Sequence, residues 1–538
     1  MSPDSARAVA EKAPLTFGTA GLRGPVGPGL DQMNAPLIAR VSWALAEFLK
    51  EQGLHARPLL IGFDARAESA PWARLAAEIH RAAGQEVWLL PRPGPTPWVA
   101  FGVRHFQAAA GVVLTPSHNP RGDAGYKLFD SDGVQIVAPW DTRIAQLMSQ
   151  APPFECIARS PVPDGSCPIE LWPAYDAWLD ELGAKARGSA ERQHFELAYT
   201  PLHGVGFEAA ARAATRQGAT LDVVAEQREP DTNFPTTPFP NPEEPGALDL
   251  LLALCRAHGH ELGAAHDPDA DRFALVVARS PQGLPLPLSG DQLGLLLADV
   301  WLEATALDNP LVVSTLVSSP GLDVLAEQRG ARLERTLTGF KWLGRPALDD
   351  PGFVFSYEEA LGYCFGLGDF KAVLDKDGIA ALTVVVALVQ RGLAEGQNSP
   401  GSVVLERLRS LAARIGLWVS VGHGLRLNGG VPAAIELVGR LRRAPPSAVG
   451  GRRLLSINDF SLDAEQRPAY LGAQDLLVLM LDGGARICVR PSGTEPKLKL
   501  YVHLSRPFAT TDDYASIESA ATHEARELGV ALADWLTA

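Results

Sequence analysis

The chain has 538 residues, 46% of them hydrophobic, which is more than one core usually supports and points to three or four domains. A formal charge of −14 argues against nucleic acid or an anionic membrane as partner, so any bound anion must be met by cations gathered locally. Five scattered cysteines without metal-ligand spacing, no apolar leader at the start, and a longest apolar run (Ile379 to Val389) short of the roughly 18 residues of a membrane span predict a soluble, cytoplasmic protein.

Taken in chain order, the first motif is Phe17-Gly18-Thr19-Ala20-Gly21-Leu22-Arg23-Gly24, a glycine-rich loop with one arginine. It lacks the Gly-Lys-Ser/Thr of a phosphate loop, and no strand leads into it as a dinucleotide fingerprint requires. Leu59 to Gly62, a polar turn over Asp64 to Ser69, a helix ending near Gly84 and Glu86 to Leu90 then read as a βαβ unit. The same design recurs from Phe195 with a helix stopped by Gly218, and from Leu311 with a helix stopped by Gly330. Three similar α/β domains is the economical reading, with chance recurrence of a common unit as the alternative. Pro- and polar-rich stretches at 151–167, 280–287 and 392–401 suggest boundaries. After Leu417, strand-like runs and a closing helix over about 513–536 suggest a smaller α+β domain. The predicted division is 1–165, 185–300, 301–415 and 416–538.

Between the first two units, Val112 to Leu114 read as a buried strand leading into Thr115-Pro116-Ser117-His118-Asn119-Pro120. The prolines fix the local backbone, so the Ser117 hydroxyl is expected exposed at a strand end, a nucleophile if a base, metal or phosphate activates it. Asp267-Pro268-Asp269-Ala270-Asp271-Arg272 sets carboxylates at alternate positions; in an extended segment they project to one side and converge on a hard cation such as Mg²⁺, with a solvated acidic turn as the alternative. The positions where an EF-hand wants glycine and glutamate hold Arg272 and Ala278, which excludes that motif. Lys127, Lys341 and Lys376 stand near turns and singly read as surface lysines. Tyr357-Glu358-Glu359-Ala360-Leu361-Gly362 follows a strand at Phe353 to Phe355, so Glu359 either receives sugar hydroxyls or begins a helix. Arg490-Pro491-Ser492-Gly493-Thr494-Glu495-Pro496-Lys497 gathers a guanidinium, hydroxyls, free amides and a lysine as a phosphate monoester requires, or forms a plain hairpin turn.

In this order, Thr-Pro-Ser-His-Asn-Pro, Asp-x-Asp-x-Asp-Arg and Arg-Pro-Ser-Gly-Thr-Glu-Pro-Lys resemble the α-D-phosphohexomutase superfamily of phosphoglucomutases and phosphomannomutases, over essentially the whole chain. The resemblance implies three similar α/β domains with mixed sheets plus a smaller α+β C-terminal domain around a central cleft. It implies an enzyme that interconverts sugar phosphates through a phosphoserine and a bisphosphate intermediate. It makes Ser117 the phosphoserine, with Asp267, Asp269 and Asp271 and a phosphoserine oxygen holding Mg²⁺. Arg23 and Arg272 would face the reacting phosphoryl group, with His118 and Lys127 polarising the hydroxyl. Glu359 would read the sugar, Arg490, Ser492, Gly493, Thr494 and Lys497 would grip the idle phosphate, and Lys341 and Lys376 would add substrate-binding cations. Glucose 1,6-bisphosphate is the expected activator and sugar phosphates the partners, in a monomer or homodimer.

Leu361 and Tyr363 replace the serine and histidine of the hexose-reading loop Gly-Glu-x-Ser-Gly-His, and Phe340 stands where some members have histidine. The Gly-Thr-Ala-Gly opening and Pro268 are similar to a branch with phosphopentomutase and sugar bisphosphate synthase activities beside phosphoglucomutase. Phosphoglucomutase is the leading expectation, with phosphomannomutase or phosphopentomutase as alternatives. A silent sugar phosphate sensor is a rival of another class. A phosphatase would need no second phosphate site, and the missing Gly-x-Ser-x-Gly elbow argues against a serine hydrolase.

Overall fold

The computed structural model describes residues 15–18, 21–280, 283–368, 373–427, 430–491 and 497–538. Among the described residues, twenty strands fall into four sheets. The first sheet holds β1 (Leu22–Pro25), β2 (Leu59–Phe63), β3 (Val87–Leu89), β4 (Ala110–Leu114) and β5 (Asp123–Phe129); the second holds β6 (Phe195–Thr200), β7 (Ala219–Val223), β8 (Leu262–His266), β9 (Phe273–Ala278) and β10 (Pro285–Pro287). The third holds β11 (Leu311–Thr315), β12 (Arg332–Thr336), β13 (Phe353–Glu358) and β14 (Gly362–Phe365).

These three sheets share one plan. An inner strand (β2, β6 or β11) pairs in parallel with the next strand on one side (β3, β7, β12) and with the third on the other (β4, β8, β13). A fourth strand (β5, β9, β14) then returns antiparallel beside the third. The sequence-level repeat is therefore a repeat of topology, and the glycines expected to stop its helices, Gly84, Gly218 and Gly330, all have positive φ. Strands β4, β8 and β11 are buried at every position. Helices cover both faces of such sheets, so these strands read as unbroken apolar runs.

The fourth sheet is wholly antiparallel, in the order β15 (Leu417–Arg426), β20 (Lys497–Arg506), β19 (Arg486–Pro491), β18 (Leu477–Leu481), β17 (Arg452–Asp459), β16 (Ala448–Val449). Along β20, half-buried positions alternate with buried ones at its start, as in a sheet with one covered face. The closing helix Tyr514–Thr537 packs on β15 and β20.

The apolar run at Ile379 to Val389 lies in the helix Gly378–Ala394, almost entirely buried against the helices Leu171–Arg187, Phe207–Arg216 and Pro400–Ile415. A helix apolar on all sides belongs inside a large protein or a membrane, and here neighbouring helices surround it. Among the described residues no helix is long and apolar enough to cross a membrane. The helix Gly290–Thr305 runs unbroken across the 300/301 division expected from the sequence. All five cysteines are free thiols.

Candidate active site

The repeat places three loops in equivalent positions, each joining the third strand of a unit to its antiparallel fourth: 115–122, 267–272 and 359–361. Each carries one non-glycine residue with left-handed backbone, Ser117 (φ 58°), Ala270 (φ 56°) and Leu361 (φ 62°). Such conformations cost free energy and persist only where surroundings hold them.

The surroundings of Ser117 are explicit. Its backbone N–H donates to Thr115 Oγ1 (2.9 Å), which donates to Asp64 Oδ2 (2.7 Å). Asp64 also accepts from Ser69 Oγ (2.6 Å) and from the Arg66 N–H (3.0 Å). The Arg66 guanidinium donates to four carbonyl oxygens of the loop, those of Ser117 (3.1 Å), Asn119 (2.5 Å), Pro120 (2.8 Å) and Asp123 (3.2 Å). The serine hydroxyl is not exposed as the sequence suggested. Ser117 is 1% accessible because the acidic loop closes over it, and its Oγ donates to Asp267 Oδ2 at 2.9 Å. His118 Nδ1 lies 3.2 Å from the same Oγ. Burial, with Arg272 and Arg23 adding to it, holds the His118 imidazole well below its ordinary range, so it is neutral at pH 7.

The acidic loop is a tight turn, not the extended segment expected. The Ala270 N–H donates to Asp267 O (2.9 Å), and the turn instead of strand alternation brings the carboxylates together. The ligand-capable oxygens of Asp267, Asp269 and Asp271 lie within 4.8 Å of one another, and all three residues are fully buried. Lys127 Nζ donates to Asp269 Oδ2 and Asp271 Oδ2, both at 2.6 Å, while Lys376 Nζ stands 3.4 Å from Asp271 Oδ2. These two lysines are buried, contrary to their surface reading. Thr96 Oγ1 donates to Asp269 Oδ2 (2.6 Å). Burial and the neighbouring Asp271 push the Asp267 and Asp269 carboxyls up; for Asp271 burial is outweighed by Lys127, Lys376 and Arg272, which hold it below the carboxylate range. Asp269 Oδ1 and Asp271 Oδ1 are buried with no hydrogen-bond partner. Orphaned, oxygen-only donors in a carboxylate trio fit a hard divalent cation such as Mg²⁺.

The third loop is a hairpin. Strand β13 runs through Glu358, further than expected, and no helix follows, so the helix-start reading of Glu359 fails. Glu359 Oε2 accepts from Thr315 Oγ1 (3.1 Å) and Ser318 Oγ (3.3 Å), and burial, reinforced by Asp291, pushes its carboxyl up. Leu361 is buried, and Tyr363 spends its hydroxyl on Gly290 O (3.3 Å). Phe340 is buried beneath the Lys376 ammonium, 5.0 Å from its ring centre. This loop is stitched to the acidic one by backbone: the Phe273 N–H donates to Leu361 O (3.1 Å), and Arg272 pairs with Gly362.

Cations surround the cleft. The Arg272 N–H donates to Asp267 Oδ1 (3.0 Å), and its guanidinium pairs with Glu243 Oε2 (3.4 Å). Arg490 donates to the Tyr501 hydroxyl (3.2 Å). Arg23, Arg272 and Arg490 each keep a buried Nε without a partner, a property shared among the described residues only by Arg66 and Arg407, which lie against Asp64 and Asp299. Buried guanidinium donors left unsatisfied are groups that a phosphate can complete. Lys341 donates to Gly18 O at 3.5 Å and stands 5.6 Å over the Trp342 ring, and Lys497 opens β20 opposite Arg426. Ser492, Gly493 and Thr494 lie outside the described residues. A cavity of about 940 Å³ extends from Glu359 and Leu361 between β15, β20 and the Glu243 loop, without reaching Ser117.

Asp64, Arg66, Thr96, Glu243 and Glu358 were not among the predicted site residues. Glu358 is buried with its carboxyl pushed up to about 7 by that burial. The available signal was position: Asp64 and Arg66 fill the turn after β2, and Thr96 opens the helix Thr96–His105.

Comparison with known proteins agrees along the chain. Models of the phosphoglucomutase/phosphomannomutase alpha/beta/alpha domains I, II and III match residues 14–153, 176–282 and 289–410, and that of the C-terminal domain matches 458–516. The chain is similar to the "Probable phosphomannomutase" of Haemophilus influenzae, 35% identical over 87% of this chain and 92% of that protein. It is also similar to the phosphopentomutase of Homo sapiens, 31% identical over 93% of this chain and 86% of that one. The open form of the Paramecium phosphoglucomutase pp63/parafusin shares the fold, with a TM-score of 0.69 at 19% identity, over 96% of this chain and 95% of that one.

Proposed function

Because the chain belongs to the phosphoglucomutase/phosphomannomutase family, whose members are phosphotransferring mutases of sugar phosphates, we propose that it interconverts glucose 1-phosphate and glucose 6-phosphate through a phosphorylated Ser117. The observation that carries this reading is the Ser117 hydroxyl, 2.9 Å from Asp267 in the carboxylate trio.

In the forward half-reaction the bond from phosphorus to Ser117 Oγ breaks and a bond to the free sugar hydroxyl oxygen forms. The hydroxyl proton passes to Ser117 Oγ, and the neutral His118 imidazole beside that oxygen relays it. Such a base contributes on the order of 10² to 10⁴ in rate. Arg23 and Arg272, both within electrostatic reach of the carboxylate trio, bring positive charge to the phosphoryl group, and Lys127 keeps Asp269 and Asp271 in register. Bound between Asp267, Asp269 and Asp271, magnesium would supply neutralisation of charge on the group in transit. The bisphosphate turns, Arg490 holds the idle phosphate, and the second phosphoryl returns to Ser117. Glucose 1,6-bisphosphate is accordingly the primer that phosphorylates the serine.

A pentose phosphate is the second reading. It is favoured by the loss of polar readers at Leu361 and Tyr363, which leaves Glu359 to meet the sugar, and by the likeness to a phosphopentomutase. Catalytic efficiencies for glucose, mannose, ribose and deoxyribose 1-phosphates, with magnesium and a trace of glucose 1,6-bisphosphate, decide between them. Ser117→Ala should abolish turnover of all four; activity above a few per cent would contradict the relay, and tight calorimetric binding without any turnover in the parent enzyme would make the protein a sensor.

A further inference from the structure

A second group of ligating side chains stands away from the cleft. Asp222 lies on β7, an edge strand of the second sheet, and the helix Asp249–His258 ends beside it. Gly259 takes the left-handed conformation (φ 75°) that ends the helix and turns the chain, so His258 and His260, on either side of it, both reach Asp222. His258 Nδ1 lies 2.5 Å and His260 Nε2 2.7 Å from the same oxygen, Asp222 Oδ2. The imidazole rings stand 6.1 Å apart at 59°, so they are not stacked on each other.

We propose that Asp222, His258 and His260 form a second metal site, which takes a borderline transition-metal ion of the Zn²⁺ type. The three ligand atoms lie within 4.8 Å of one another. Bonds of about 2.0–2.1 Å in a tetrahedral site separate neighbouring ligand atoms by roughly 3.3 Å, so opening the cluster by under about 1 Å around an ion suffices. His258, 55% exposed at its side chain, has the freedom to make that shift and leaves the fourth position to water. Ligand chemistry separates the two sites: two imidazole nitrogens and one carboxylate suit zinc, whereas the all-oxygen trio in the cleft suits magnesium. The cluster of ligand atoms consists of Asp222, His258 and His260, without Cys255.

The two sites are well separated. Asp222 is level with Ala198, and Ala198 with Gly263, across the sheet. Asp267 is four residues beyond Gly263, so at about 3.3 Å per residue and about 4.8 Å per strand the backbones lie roughly 16 Å apart. Neither histidine nor Asp222 touches the catalytic residues. An ion there would clasp the edge strand to the helix end and add to the stability of the second domain without entering the reaction.

The test uses the full chain, stripped of metal with a chelator and held in millimolar MgCl₂ to fill the acidic trio. Calorimetric titration with ZnCl₂ should show one site, weakened by at least about tenfold in His258→Ala/His260→Ala and in Asp222→Asn, the least loss that even an outer-shell partner causes. The mutase rate of both variants with magnesium should equal that of the parent, which shows that they fold. In crystals soaked in ZnCl₂, anomalous density should fall about 2.0–2.3 Å from all three ligand atoms. Equal zinc affinity in parent and folded variants, or anomalous density confined to the acidic trio, would overturn the assignment.

Discussion

Replacing Arg66 by methionine keeps most of the apolar stem and removes the fork that holds the Ser117 loop. Four donated hydrogen bonds to the carbonyls of Ser117, Asn119, Pro120 and Asp123 are lost, and Asp64 is left buried without its cation. Charge-assisted bonds are worth about 1.5–3 kcal/mol each, but they are not additive, and breaking a buried ion pair costs about 3–5 kcal/mol in all. The lower end applies, because burial already pushes the Asp64 carboxyl up and the Ser69 and Thr115 hydroxyls remain to hold it. A loss of about 3 kcal/mol is expected in urea unfolding. The rate should suffer more than the stability. Freed from its anchor, the left-handed backbone at Ser117 relaxes, and a displacement of about 1 Å at a reacting atom costs on the order of 10² in kcat. KM should stay within about twofold to threefold, since Arg490 and Glu359 keep their places. Arg66→Lys retains the charge without the planar fork and should fall between the two. A folded Arg66→Met enzyme with kcat within twofold of the parent would refute the argument.

Gly290→Ala places a Cβ 1.9 Å from Glu359 O and 3.0 Å from Leu361 N, both backbone, so the sugar loop must move; KM should rise at least about tenfold and stability fall by about 1–3 kcal/mol, and a parent-like KM would count against Glu359 as the sugar reader. Acid should destabilise the fold through His80 and His503, each held at about 4, His80 chiefly by burial and His503 by burial and then Arg486. Their folded values lie below the ordinary 6.5, so the unfolded chain binds protons first as pH falls, and each contributes stability that is lost between about pH 6.5 and 4, up to roughly 3 kcal/mol. A urea midpoint that stays level from pH 7 to 4.5 would contradict this.

The linear order of motifs made the repeated units and the three reacting loops legible, because each loop's chemistry is concentrated in consecutive residues. Partners brought in by topology were not. Lys127 reads as one more surface lysine until β5 sets it beside Asp269 and Asp271 from another sheet. Arg66 looks like a turn residue, since its acceptors are backbone oxygens about fifty residues away that no side-chain pattern advertises. The buried state of Ser117 follows from the meeting of two domains, which local strand and turn signals do not encode.

On the roles proposed for these loops, the backbone seam at Phe273–Leu361 and Arg272–Gly362 would tie sugar discrimination to ion affinity. Whatever free energy a sugar invests in setting the Leu361 strand end is felt, with no side chain as intermediary, at the carboxylates one residue away, and thermodynamic reciprocity makes the coupling equal in both directions. Variants selected at 361 for a new sugar should therefore carry an altered magnesium requirement, an inheritance that changes at Arg490, on a separate sheet, escape.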